Sequence, residues 1–195
     1  MKNRIGLFFL ILILASAICA CGARINNNSE RQANPSKEYH LTRFLGSYEE
    51  MESFMEEALK NDFCNKIYLN EDETILTIEA TEKQREKWVE SAVTKIEDAV
   101  KGVPLADGFT VDLNPEYTEC LIHASGNRNI KSMTQTSMVI LMEAEIYQVF
   151  NGIENWSVKY VIVDSDIGEE ILNVDFPKES IDYSADMWRY DSESN

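Results

Sequence analysis

The chain has 195 residues, 44% of them hydrophobic, with 34 acidic against 18 basic side chains and a formal charge of −16. That apolar share argues for a packed globular domain over disorder, and the negative charge argues against a nucleic-acid binder and against docking on anionic lipid through a basic patch. Cationic partners and divalent ions remain compatible with it, although the plainest consequence of such a charge is solubility.

The chain opens on Lys2 and Arg4, followed by an apolar run over residues 5–14 and the small residues Ala15, Ser16 and Ala17. This is the layout of a secretory signal. The run ends near Ala20, short of the roughly 20 apolar residues that a membrane-spanning helix needs. Next comes Ile18-Cys19-Ala20-Cys21-Gly22, which resembles the lipobox of bacterial lipoprotein precursors. The resemblance covers these first residues only. It implies diacylglyceryl transfer to the Cys21 thiol, cleavage between Ala20 and Cys21, and a partner in the lipid bilayer on the extracytoplasmic side of the cell membrane. Loss of Lys2 and Arg4 would bring the mature charge to 16 − 34 = −18. Two acyl chains hold stably where one does not, since each buried methylene adds about 0.8 kcal/mol. The same stretch also offers Ala15-Ser16-Ala17 as an ordinary cleavage site, whose freely secreted product would keep Cys19 and Cys21.

The organisation expected is a signal peptide over residues 1–20, a lipidated cysteine and polar tether over 21–39, a domain over 40–178, and an acidic tail over 179–195. The tether has no apolar period and reads as a flexible coil spanning roughly 20 Å. In the domain, Ser47-x-x-Glu50 is a capping box, and Met51, Phe54, Met55, Ala58 and Leu59 follow at helical spacing. A hairpin is then expected over residues 68–80, with Asn70 in its turn. Thr81-x-x-Gln84 is a second capping box. The positions Trp88, Val89, Ala92, Val93, Ile96, Ala99 and Val100 repeat as 3-4-3-4, the clearest helical period in the chain, and Gly102 ends it.

A second hairpin is expected over residues 112–124. It matches the first at a constant offset of 44, Leu69-Asn70 aligning with Leu113-Asn114, Thr74 with Thr118, and Ile78 with Ile122. A third helix follows from about Asn129 to Phe150. Its run from Met138 to Met142 is apolar around most of the girth, as in helices buried on more than one side. The last hairpin alternates Trp156, Val158, Tyr160 and Ile162 on one strand and Leu172, Val174 and Phe176 on the other, with Pro177 as the stop. The tail carries Tyr183, Met187, Trp188 and Tyr190, more aromatic and apolar side chains than a wholly disordered tail holds, and is expected to dock on the domain's own surface. The order helix-hairpin, three times over, predicts an α+β fold: a two-layer sandwich of about six mostly antiparallel strands, with three helices on one face of the sheet, built from repeated helix-hairpin units.

No catalytic or cofactor motif stands out, and no cofactor is expected. The candidate residues are few. Cys64 and Cys120 are the thiols of the domain. Outside the cell a disulfide between them is chemically allowed if their Cα atoms come within about 7 Å; free buried thiols acting as small hydrophobes are the other reading. Asp164-x-Asp166-x-Gly168 departs from a calcium loop, with Gly one place early and no Glu at the twelfth position, and reads as a turn. There is no paired histidine for zinc.

The acids of the first helix, Glu49, Glu50, Glu52, Glu56 and Glu57, read as a solvated face. Thr77, Glu79, His123 and Lys159 fall on the polar side of their strands and form the candidate binding face. The function these features imply is a non-catalytic binding or interaction module of the cell envelope, its partner an envelope protein or ligand. The alternatives are an envelope enzyme, such as a hydrolase with a carboxylate site near Glu79 and Asp112, and a structural assembly factor.

Overall fold

The computed structural model describes residues 35–42 and 48–183. The expected signal peptide, Cys21, most of the expected tether, Ser47 of the first expected capping box and the tail beyond Tyr183 lie outside the described residues. The elements run β1 (Lys37–Thr42), α1 (Tyr48–Lys60), β2 (Lys66–Leu69), β3 (Ile75–Ala80), α2 (Glu82–Lys101), β4 (Phe109–Leu113), β5 (Glu119–Ala124), α3 (Ile130–Phe150), β6 (Val158–Asp164) and β7 (Glu170–Phe176). The fold is α+β, with three α-helices among the described residues, as expected.

The strands do not form one sheet. They make a three-stranded sheet in the order β1-β3-β2 and a four-stranded sheet in the order β4-β5-β6-β7. Two features of the expected sandwich are therefore corrected, the single sheet and the strand count. Among the described residues β1 is a seventh strand, its first three residues in the stretch the sequence assigns to the tether and its last three in the domain. Its alternation is short, with only Tyr39 and Leu41 buried among exposed neighbours, so two apolar residues carry the whole signal. The pairing is mostly antiparallel, as expected, with one exception: β5 and β6 run parallel, because α3 carries the chain back across the sheet between them, the connection that parallel neighbours require.

Each helix precedes a hairpin, but three equivalent helix-hairpin units are not built. The 44-residue offset is a property of the first two hairpins alone. Lys66↔Glu79 and Leu69↔Leu76 in the first correspond to Thr110↔His123 and Leu113↔Cys120 in the second, pair for pair. The turns correspond as well. Asn70 Oδ1 accepts the N–H of Thr74 at 2.7 Å and of Ile75 at 2.9 Å. Asn114 Oδ1 accepts those of Thr118 and Glu119 at 2.8 and 2.9 Å. Glu73 and Tyr117, one residue before each threonine, take φ of +54° and +53°. One asparagine thus satisfies two turn amides, and Asn114→Ala should cost about 1–2 kcal/mol, read as a lower urea midpoint with an unchanged m-value.

The capping box at the start of α2 forms: Thr81 Oγ1 accepts the Gln84 N–H at 3.4 Å, and Gln84 Oε1 accepts the Thr81 N–H at 2.9 Å. The Gln84 amide goes further and donates to Asp62 Oδ1 and Asn65 Oδ1, tying the helix start to the loop before β2. Asn129 caps α3.

Helices α2 and α3 pack antiparallel. Arg85, near the start of α2, donates to the carbonyl of Phe150 at the end of α3, and Lys95 meets Glu143 midway. This pair serves two cores. Trp88 and Ala92 of α2, with Ile146 and Phe150 of α3, belong to the cluster under the first sheet. Ala99 and Val100 of α2, with Met133, Ile140, Leu141 and Ala144 of α3, belong to the cluster under the second. Helix α1 contributes Met51, Phe54, Met55 and Ala58 to the first cluster only. This explains why α3 is apolar around most of its girth: a helix that meets two cores has little surface left for solvent. Among the described residues no helix is long and apolar enough to cross a membrane.

Candidate functional site

The four residues expected to share one binding face lie on two sheets. In β3, Leu76, Ile78 and Ala80 point into the first core, so strand alternation turns Thr77 and Glu79 to the other side. Thr77 is nonetheless buried at 5% exposure, with its hydroxyl 3.2 Å from His40 Nδ1 on β1. It is a structural contact and not an accessible binding group, which corrects the sequence reading. Glu79 is ion-paired with Lys66 at 3.2 Å across the β2–β3 register, and that carboxylate raises the lysine's pKa. The Lys66 ammonium also sits over the Tyr68 ring at 4.5 Å.

His123 and Lys159 belong to the second sheet. Cys120, Ile122 and Ala124 of β5 and Val158, Tyr160 and Ile162 of β6 fill its core, leaving His123 and Lys159 on the opposite face. There His123 Nε2 lies 3.4 Å from Asp112 Oδ2, and Lys159 stands beside Glu119 in the parallel register and Asp175 in the antiparallel one. Half-exposed Leu121, Val161 and Val163 fill the space between these polar groups. Asp112 and Glu79, the carboxylates considered together for hydrolysis, sit on different sheets.

Both domain thiols are free and buried. Cys64 belongs to the first core and Cys120 to the second. Burial pushes the Cys64 thiol up to about 11, with Asp62 adding to the effect, and the Cys120 thiol up to about 12. A thiol so shifted is almost wholly protonated at neutral pH and is a poor nucleophile. Iodoacetamide at pH 8 should therefore leave both unmodified in the native chain and alkylate both in guanidinium, read peptide by peptide by mass spectrometry.

The Asp164–Gly168 segment is a hydrogen-bonded turn. Asp164 Oδ1 accepts the Asp166 N–H at 2.8 Å, the Gly168 N–H reaches the Asp164 carbonyl at 2.7 Å, and Gly168 takes φ of +77°. Asp166 Oδ2 accepts the Gly126 N–H at 2.7 Å, which binds this turn to the loop after β5. The two acids are thus engaged with backbone, and among the described residues no group of three or more His, Cys, Asp or Glu is placed to hold a metal.

Sequence reasoning missed the polar interior of α3. Glu143 and Glu145 are 4% and 2% exposed. Glu143 takes a 2.8 Å bond from Lys95, and burial raises its pKa against the pull of that lysine. Glu145 Oε1 accepts the Thr42 N–H at 2.5 Å, fixing the end of β1. Burial raises its carboxyl to about 7, opposed by the bonds from Thr42 and Trp156. Gln148 donates to the carbonyls of Tyr117 and Ser157 and accepts the Ser157 N–H. Ser137, Tyr160 and Tyr183 form a hydroxyl chain with steps of 2.6 and 2.9 Å. The signal available was Glu143-Ala144-Glu145 directly after the apolar run: acids inside a helix already expected to be enclosed on several sides must find partners or shift pKa. Comparison with family models, with curated protein sequences and with solved structures gave no match.

Proposed function

We propose that this chain is a bacterial lipoprotein, held on the outer side of the cell membrane through acylated Cys21, whose α+β domain acts as a non-catalytic binding module of the envelope. The observation that carries the anchor is Ile18-Cys19-Ala20-Cys21-Gly22 placed directly after a short apolar run. A Cys21 thiol at that position has its own use, acylation, and stands apart from the two core cysteines. Support for a binding role comes from where the perturbed groups sit. Glu143, Glu145, Cys64, Cys120 and Tyr160 all have raised pKa values through burial, and all are enclosed by the domain's own packing. Catalytic acids and bases are shifted at clefts that admit substrate. These five shifts belong to the core, while the shifted lysines at the surface, Lys66 and Lys101, are paired with neighbouring carboxylates.

The test is the intact mass of the protein extracted from the membranes of its native host. The expected species begins at Cys21 and carries a diacylglyceryl group. A product beginning at Ile18, or an unprocessed chain beginning at Met1, would overturn the anchor.

A further inference from the structure

Sheet edges attract other strands, and folded proteins blunt them with short strands, bulges, prolines, lysines or covering elements. Three of the four edges here are treated in this way. Strand β2 is four residues long, carries Lys66 and lies against α1. Strand β1 sets polar Lys37, Glu38 and His40 around its core residues and packs against α3. Strand β7 has an irregular register opposite Ile162 and Val163 and is followed by Pro177. Strand β4, Phe109-Thr110-Val111-Asp112-Leu113, has no proline, lysine or bulge, and in the order β4-β5-β6-β7 it pairs on one side only.

The pairing shows which backbone groups it offers. The Ser125 N–H donates to the Gly108 carbonyl and the Asn114 N–H to the Glu119 carbonyl. In an antiparallel ladder these directions alternate residue by residue. Gly108, Thr110, Asp112 and Asn114 therefore face β5, while the N–H and C=O groups of Phe109, Val111 and Leu113 face outward. Beside this edge lies an apolar groove of about 260 Å³ lined by Ile96 and Val100 of α2, Val111 and Leu113 of β4, and Tyr117 of the turn. Glu97 and Lys101 also line it, paired with each other at 2.8 Å. On the opposite face of the edge Asp112 is exposed beside His123, and Glu116 is exposed on the turn.

We propose that the β4 edge and its groove bind an extended segment of a basic partner protein, which adds as an antiparallel or parallel strand. The main chain of that segment bonds to Val111 and Leu113, every second side chain is apolar and enters the groove, and the alternate lysines or arginines project from the opposite face, where Asp112 stands, with Glu116 at the turn. This rests on the reading of the domain as a binding module and names its partner class; it does not depend on the lipid anchor.

The test uses the full chain in non-ionic detergent micelles. Its probes are a blocked, fluorescent heptapeptide of alternating lysine and valine, and a twin with glutamate in place of lysine. Binding is read by anisotropy and by amide hydrogen exchange. The basic peptide should bind at least about tenfold tighter than the acidic one and slow exchange at Val111 and Leu113. Leu113→Pro removes an outward N–H without touching the β5 ladder and should weaken binding about tenfold or more. Joint Asp112→Lys and Glu116→Lys, both at exposed positions, provide a charge test independent of that backbone change and should turn the preference toward the acidic peptide. Equal affinity for the two peptides, protection at another edge, or a preference unmoved by the double reversal would each overturn the proposal. Such a failure alongside an acylated Cys21 in the intact mass would remove the edge site and leave the anchored reading standing.

Discussion

Glu145→Gln should abolish a step in the pH dependence of stability and leave the variant more stable than the parent at pH 8. The carboxyl is raised from 4.5 to about 7, chiefly by burial. A group whose folded-state pKa is raised binds its proton more tightly in the native chain. Its stabilisation is complete below pH 4.5, falls as pH rises through about 7, and is then gone. That displacement from 4.5 to about 7 corresponds to about 3.5 kcal/mol. Glutamine stays neutral and keeps an oxygen to accept the Thr42 N–H, so the end of β1 remains fixed. The measurement is urea unfolding at intervals from pH 4.5 to 8.5, parent minus variant, so that the contribution of Glu143 cancels. A difference that stays constant with pH would show that Glu145 does not titrate in this range.

Phe150→Ala is the core substitution expected to cost most, about 3–5 kcal/mol. The ring is 1% exposed, stacks on Tyr39 at 4.3 Å and 14°, and lies 5.2 Å from Trp88. Trp88 is itself held by a 2.8 Å bond from its indole N–H to the Phe63 carbonyl. One side chain at the end of α3 therefore joins β1, α2 and the loop before β2. Its loss leaves a cavity among rigid rings that cannot close over it. Because Met133, Ile140 and Leu141 hold the other end of α3 in the second core, the first sheet should open before the second. Amide exchange should then rise at Ile78 and Leu76 well before it rises at Ile122 and Ile162. Uniform loss of protection would mean that the two cores unfold as one.

Much of the local structure was legible in the residues. Trp88, Ala92 and Ile96 are buried along one stripe of α2, as the 3-4-3-4 period requires. Thr81 and Gln84 make their capping box. The 44-residue offset proved to be a shared register and a shared asparagine turn, because a turn needs a specific side chain at a specific place. Strand β1 was not legible, since two apolar residues in six look like linker until a partner strand pairs with them. The candidate face was legible only in part. Alternation told which side of each strand Thr77, Glu79, His123 and Lys159 occupy, but it carries no information about which strands share a sheet. Nor could it show that Thr77 is covered, since that depends on its neighbours on β1 and β2.

The sequence by itself determined the apolar start, the Ile18-Cys19-Ala20-Cys21-Gly22 run that resembles a lipobox, the three helices of the domain, the caps of α2 and α3, and the asparagine turns. These depend on residues within a few places of one another, where hydrogen bonding and periodicity act directly. The tertiary structure alone decided that the strands divide into two sheets, that β5 and β6 run parallel, and that Cys64 and Cys120 belong to different cores. It also placed Glu145 against Thr42 and, among the described residues, left β4 paired on one side only. Each of these depends on contacts between residues far apart in the chain, and they are settled by which apolar faces can be buried together.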